Sequence, residues 1–152
     1  MNNRYLILGM GNSILSDDSV GLRAAKMLYD RLPAGTCSLH LCETGGMSLL
    51  DAITGYEALI VIDSIKTGKF PLGEVVEIDE KGPGTHRVLS SHDISLFEAI
   101  NMGRRLGAHM PSKVRIFGIE VENNTEFSEN LTPALEEKLE EITGRIKNRA
   151  GL

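Results

Sequence analysis

The amino-acid sequence predicts a single-domain, three-layer α/β/α sandwich built on a mostly parallel, twisted five-stranded sheet. Three observations carry that reading. Tyr5–Leu8 and Ala58–Ile62 are continuous apolar runs, the mark of strands buried on both faces. Segments with apolar residues at helical spacing lie between the strands, so the two element types alternate. No repeat, low-complexity tract or linker divides the 152 residues, and that length fits one domain over 1–152.

The elements follow in order. The first strand ends at Gly9-Met10-Gly11-Asn12, and a helix is predicted from Ser16, with Val20, Ala24, Met27, Leu28 and Leu32 as its apolar stripe and Pro33 and Gly35 closing it. Cys37–Cys42 reads as the second strand and Met47–Ile53 as a short helix. The strand Ala58–Ile62 carries Asp63 at its C-terminal end, and Gly68–Gly73 forms a loop. Glu74–Asp79 is predicted to return beside that strand as an antiparallel edge. After an irregular polar stretch, Lys81–Ser91, the Ser90-Ser91-His92-Asp93 step resembles a helix start, with a serine as N-cap and an acid in the first turn. That helix extends to about Gly107, and Lys113–Val121 is a further strand. Thr132 as N-cap and Pro133 at the first position open the last helix, whose core face is Leu135, Leu139, Ile142 and Ile146.

Composition narrows the function classes. A formal charge of -5, from 16 Lys+Arg against 21 Asp+Glu, disfavours duplex nucleic acid and leaves small molecules or proteins as partners. Cys37 and Cys42 fall on opposite faces of one strand, so no disulfide joins them. Two unpaired thiols fit a reducing compartment and read as small buried hydrophobes. The N-terminal apolar run is too short for a signal segment and no stretch is long enough to span a membrane, so a cytoplasmic protein is expected.

In doubly wound sheets, sites form beyond the carboxyl ends of the strands. The residues there are Gly9, Gly11, Asn12, Asp17 and Asp18 after the first strand, then Glu43, Gly45 and Gly46 after the second. Asp63, His92, Glu120 and Glu122 complete the set. Gly9-Met10-Gly11 is half of a dinucleotide fingerprint, but Ile14 replaces the third glycine, and Asp17 and Asp18 would repel a pyrophosphate from the helix N-terminus. Taken singly, each aspartate could be a cap and His92 a satisfied loop residue. Taken jointly, Asp18, Asp63 and His92 come from three elements and can converge in one cleft. Two carboxylates and an imidazole suit a borderline divalent cation such as nickel or zinc. His40, on a strand face, and His86 and His109, in polar loops, read as structural or solvated.

These motifs together resemble the hydrogenase maturation proteases. The resemblance rests on Gly9-x-Gly11-Asn12, the pair Asp17-Asp18, Gly21, the strand Leu59–Asp63, the Ser91-His92 step and Leu131-Thr132-Pro133, in order over nearly the whole chain. It implies an endopeptidase that removes the C-terminal extension of a nickel-loaded hydrogenase large-subunit precursor. It implies Asp18, Asp63 and His92 as catalytic and metal-binding residues, with nickel brought by the substrate and zinc or cadmium as surrogates. It also selects Asp18 over Asp17 for the cleft, leaving Asp17 to cap its helix. Ser19, often glycine in the family, and Glu120-Val121, where some relatives carry proline, depart from the pattern. Gly45 and Gly46 are expected to let the substrate's tail approach the backbone. With no serine or cysteine triad, two mechanisms stay open: metal-assisted hydrolysis, or carboxylates as general acid and base. A non-catalytic nickel-binding accessory factor is the alternative function.

Overall fold

The computed structural model describes residues 5–44, 47–78 and 91–152, with Ser91 as backbone only. The strands are β1 (Tyr5–Met10), β2 (Ser38–Cys42), β3 (Ala58–Ile65), β4 (Val75–Ile78) and β5 (Lys113–Glu120). The helices are α1 (Val20–Arg31), α2 (Met47–Ile53), α3 (Ser91–Arg105) and α4 (Pro133–Ala150), and a 3-10 turn over Ser16–Ser19 feeds α1. The sheet order is β2-β1-β3-β5-β4, parallel except for β4, which pairs antiparallel with β5 at the edge. Glu74–Asp79 is expected beside β3; instead β5 stands between them, because the connection through α3 lays β5 directly on β3. The antiparallel edge itself is as expected, though Asp79 lies outside the described residues.

Strand alternation divides the core in two. Ile7, Ile60, Ile62, Phe117 and Ile119 face α1 and α4, whose Val20, Ala24, Leu28, Leu135, Leu139 and Ile142 cover them. Leu6, Leu8, Leu59, Val61 and Ile116 face α2 and α3 through Leu49, Ile53, Leu96 and Ile100. Cys37 belongs to the first core and Cys42 to the second; both are buried. From β1 the chain crosses through α1 to β2 on one side, and from β3 it crosses through α3 to β5 on the other. The order therefore reverses between β1 and β3, which is where a doubly wound sheet opens a crevice.

Candidate active site

Close packing brings the 3-10 turn down onto that crevice. A Cβ on Gly21 would stand 2.4 Å from the Met10 carbonyl oxygen, 2.6 Å from that of Ile62 and 2.9 Å from Asp63 Cα. Only glycine lets the first turn of α1 rest on the carboxyl ends of β1 and β3 together. Gly11 does the same for the preceding loop, where a Cβ would lie 2.2 Å from the Asp18 carbonyl oxygen. The loop is pinned from β2 by Glu43, whose carboxylate accepts from the Ser13 N–H at 2.7 Å. Ser19 donates its hydroxyl to the Ser16 carbonyl at 2.8 Å and closes the 3-10 turn.

The two adjacent aspartates part as expected, but Asp17 does not cap its own helix. It is fully buried, and its carboxylate accepts from the Thr132 N–H at 2.7 Å and the Thr132 hydroxyl at 3.1 Å. Asp17 thus braces the start of α4. Thr132 is the N-cap by position, yet it makes no side-chain cap because its hydroxyl is turned to Asp17.

Asp18 faces the crevice. Its Oδ1 accepts from the Ser64 hydroxyl at 2.7 Å, and its Oδ2 stands 3.8 Å from His92 Nε2, an ion-pair distance rather than a hydrogen bond. Asp63 is fully buried at the end of β3, and its Oδ1 accepts from the Ser64 N–H at 2.8 Å. By alternation Asp63 turns toward the α2–α3 side and Ser64 toward the α1–α4 side. The site therefore straddles the carboxyl edge of the sheet. Burial alone would raise Asp18, but the His92 imidazole, the Ser64 hydroxyl and the Asn12 N–H outweigh it and hold its pKa below 3.8. His92 is raised above 6.5, chiefly by Asp18, against burial and with help from the charges of Asp63 and Asp93.

The sequence-derived trio is thus gathered at one edge. Among the described residues, no three His, Cys, Asp or Glu side chains stand close enough to hold a metal ion as placed. The donor chemistry nevertheless fits a borderline divalent cation, since two carboxylates and one imidazole border the same crevice. Of the other acids, Glu120 is buried and accepts from the Thr67 N–H at 2.9 Å and from the Thr67 hydroxyl, so it ties the loop after β3 to β5. Glu122 and His109 are exposed. Ser90, His86, Gly45 and Gly46 lie outside the described residues. Sequence reasoning missed Ser64. The available signal was parity: Ile60 and Ile62 face α1, so Ser64 had to face the turn that carries Asp18.

A sequence profile described as hydrogenase maturation protease matches residues 42–149. The chain is 31% identical over 142 residues to the hydrogenase 2 maturation protease of Escherichia coli K12, covering 90% of this chain and 84% of that protein. It is 28% identical to the hydrogenase expression/formation protein HupD of Rhodobacter capsulatus over 87% of this chain, and spans 64% of that relative's length. The fold is similar to that of the hydrogenase maturating endopeptidase HybD from E. coli, with a TM-score of 0.77, 27% identity, and coverage of 97% of this chain and 94% of that one.

Proposed function

The chain belongs to the hydrogenase maturation protease family, and on that premise we propose that its crevice cuts the C-terminal extension from a nickel-loaded hydrogenase large-subunit precursor. The observation that supports this most is the meeting of Asp18, Asp63 and His92, from three separate elements, at the sheet's switch point. In this reading nickel arrives as part of the substrate. A divalent ion between the three side chains would polarise the scissile carbonyl and orient the precursor's tail.

The protein's own residues do the rest. His92, Ser64 and Asn12 favour the carboxylate form of Asp18, and that carboxylate, at the cleft, would take the proton of the attacking water and pass it to the leaving amine. His92 would hold the ion through a neutral imidazole; without the ion, Asp18 and the charge of Asp63 favour its protonated form. The buried Asp63 fixes the negative field at the end of β3. The backbone at Gly45 and Gly46 takes the precursor's tail, on the sequence argument alone.

The test is incubation with nickel-loaded precursor, followed by mass measurement of the product. Loss of one C-terminal peptide is expected, and it should vanish in Asp18→Asn. A precursor that binds but keeps its length would point instead to an accessory factor. Efficient cutting of a nickel-free precursor would remove nickel from the recognition step and leave the protease reading standing.

A further inference from the structure

Ser64 occupies a place that no site residue from the sequence covers. It is 4% exposed, and it touches two of the proposed site carboxylates by different groups. Its N–H donates to Asp63 Oδ1 at 2.8 Å, on one side of the sheet edge. Its hydroxyl donates to Asp18 Oδ1 at 2.7 Å, on the other. Asp18 is thereby divided: Oδ1 is claimed by the serine, while Oδ2 is the oxygen nearest His92, at 3.8 Å. A carboxylate with both oxygens free can chelate an ion or swing between rotamers; one with Oδ1 pinned presents a single oxygen in one direction.

We propose that Ser64 is a positioning residue that fixes Asp18 so that only Oδ2 serves the cleft, as a one-oxygen ligand or base. This rests on the reading of Asp18 as a site residue. A hydroxyl is suited to the task because it donates to Oδ1 without adding charge to a site that already holds two carboxylates. The strand is suited as well, because β3 is paired on both sides and cannot drift.

The experiment uses the whole chain and two readouts: zinc ion alone, by calorimetric titration, and kcat and KM for the nickel-loaded precursor. Ser64→Ala removes one oxygen and should fold as the parent does. Zinc affinity and kcat are each expected to fall about 10- to 100-fold, the usual effect of removing a partner of a metal ligand, with KM little changed. Ser64→Thr, which keeps the hydroxyl and suits a strand, should restore most of both. In an Asp18→Ala background, Ser64→Ala should have no further effect on zinc. Ser64→Ala changing zinc affinity and kcat by less than twofold, or weakening zinc equally with and without Asp18, would overturn the proposal. If Asp18→Ala itself cuts and binds zinc normally, the site reading falls and the role of Ser64 falls with it. If Asp18→Ala is inactive while Ser64→Ala is silent, only the role of Ser64 is lost.

Discussion

Gly21→Ala tests whether the site depends on how closely α1 rests on the sheet. The new methyl would meet two backbone carbonyl oxygens, of Met10 and Ile62, at 2.4 and 2.6 Å. These oxygens belong to neighbouring strands held in parallel register, so neither can rotate away. Ordinary contact begins at 3.4 Å, so the start of α1 must withdraw by about 1 Å. Asp18 lies three residues upstream, in the turn that continues into α1. Its 2.7 Å bond to Ser64 would then open to roughly 3.7 Å, beyond hydrogen-bond range. Overpacking of this kind costs about 1–3 kcal/mol, and a misplacement of about 1 Å costs roughly 100-fold in rate. Urea unfolding measures the first and precursor processing the second. Gly144→Ala is the control: it sits within α4 with nothing inside 4 Å of its Cβ, so it should stabilise by about 0.5–1 kcal/mol and leave processing intact. Gly21→Ala with parental stability and full activity would refute the idea that this contact sets the position of Asp18.

The paired aspartates should separate stability from activity. Asp17→Asn weakens the brace on Thr132 and is expected to cost about 1–3 kcal/mol with processing retained below the unfolding transition, whereas Asp18→Asn should fold and fail to cut; denaturant curves and mass measurement distinguish them. The Asp18–His92 pair gives a pH signature in chelator-treated protein. His92 is raised, so its contribution is full below about pH 6.5 and lost as pH rises through its folded value, while Asp18 is lowered, so its contribution is present above about pH 3.8 and lost as pH falls through its folded value. The stability gap between the parent and His92→Gln should therefore peak between these limits, and a gap that is flat across pH 3–9 would count against the pair. Tyr5 is pushed up to about 12 by burial and by the neighbouring Cys37 thiol. A phenolate absorbance titration should show a component near that pH that disappears in Tyr5→Phe.

The sequence made the layers legible because strands buried on both faces leave an unbroken apolar run, as in Ala58–Ile62. It also put Asp18 and Asp63 beside the switch point, since one follows β1 and the other lies near the carboxyl end of β3; His92 follows the antiparallel edge strand β4, so strand order alone does not bring it there. Strand neighbours were less accessible. Glu74–Ile78 follows β3 in the chain, and nothing local in it records that β5 is its partner. The role of Asp17 was out of reach for a similar reason: Thr132 lies 115 residues away, and an acid in a first turn has a sufficient local explanation. Ser64 was hidden by its ordinariness, because a serine at a strand end signals nothing until the element above it is known.

The brace between Asp17 and Thr132 carries a consequence for how the protein is made. Every proposed site residue precedes α4 in the chain, yet the turn that holds Asp18 is fixed through Asp17 to the first residues of that helix. A nascent chain still lacking α4 on its own side of the sheet has Asp18 on a turn without this brace. His92 and Asp63 depend in turn on the opposite layer. On the proposed site, assembly of the cleft therefore draws on both helical layers, and a chain with only one of them docked holds these residues without their full set of contacts.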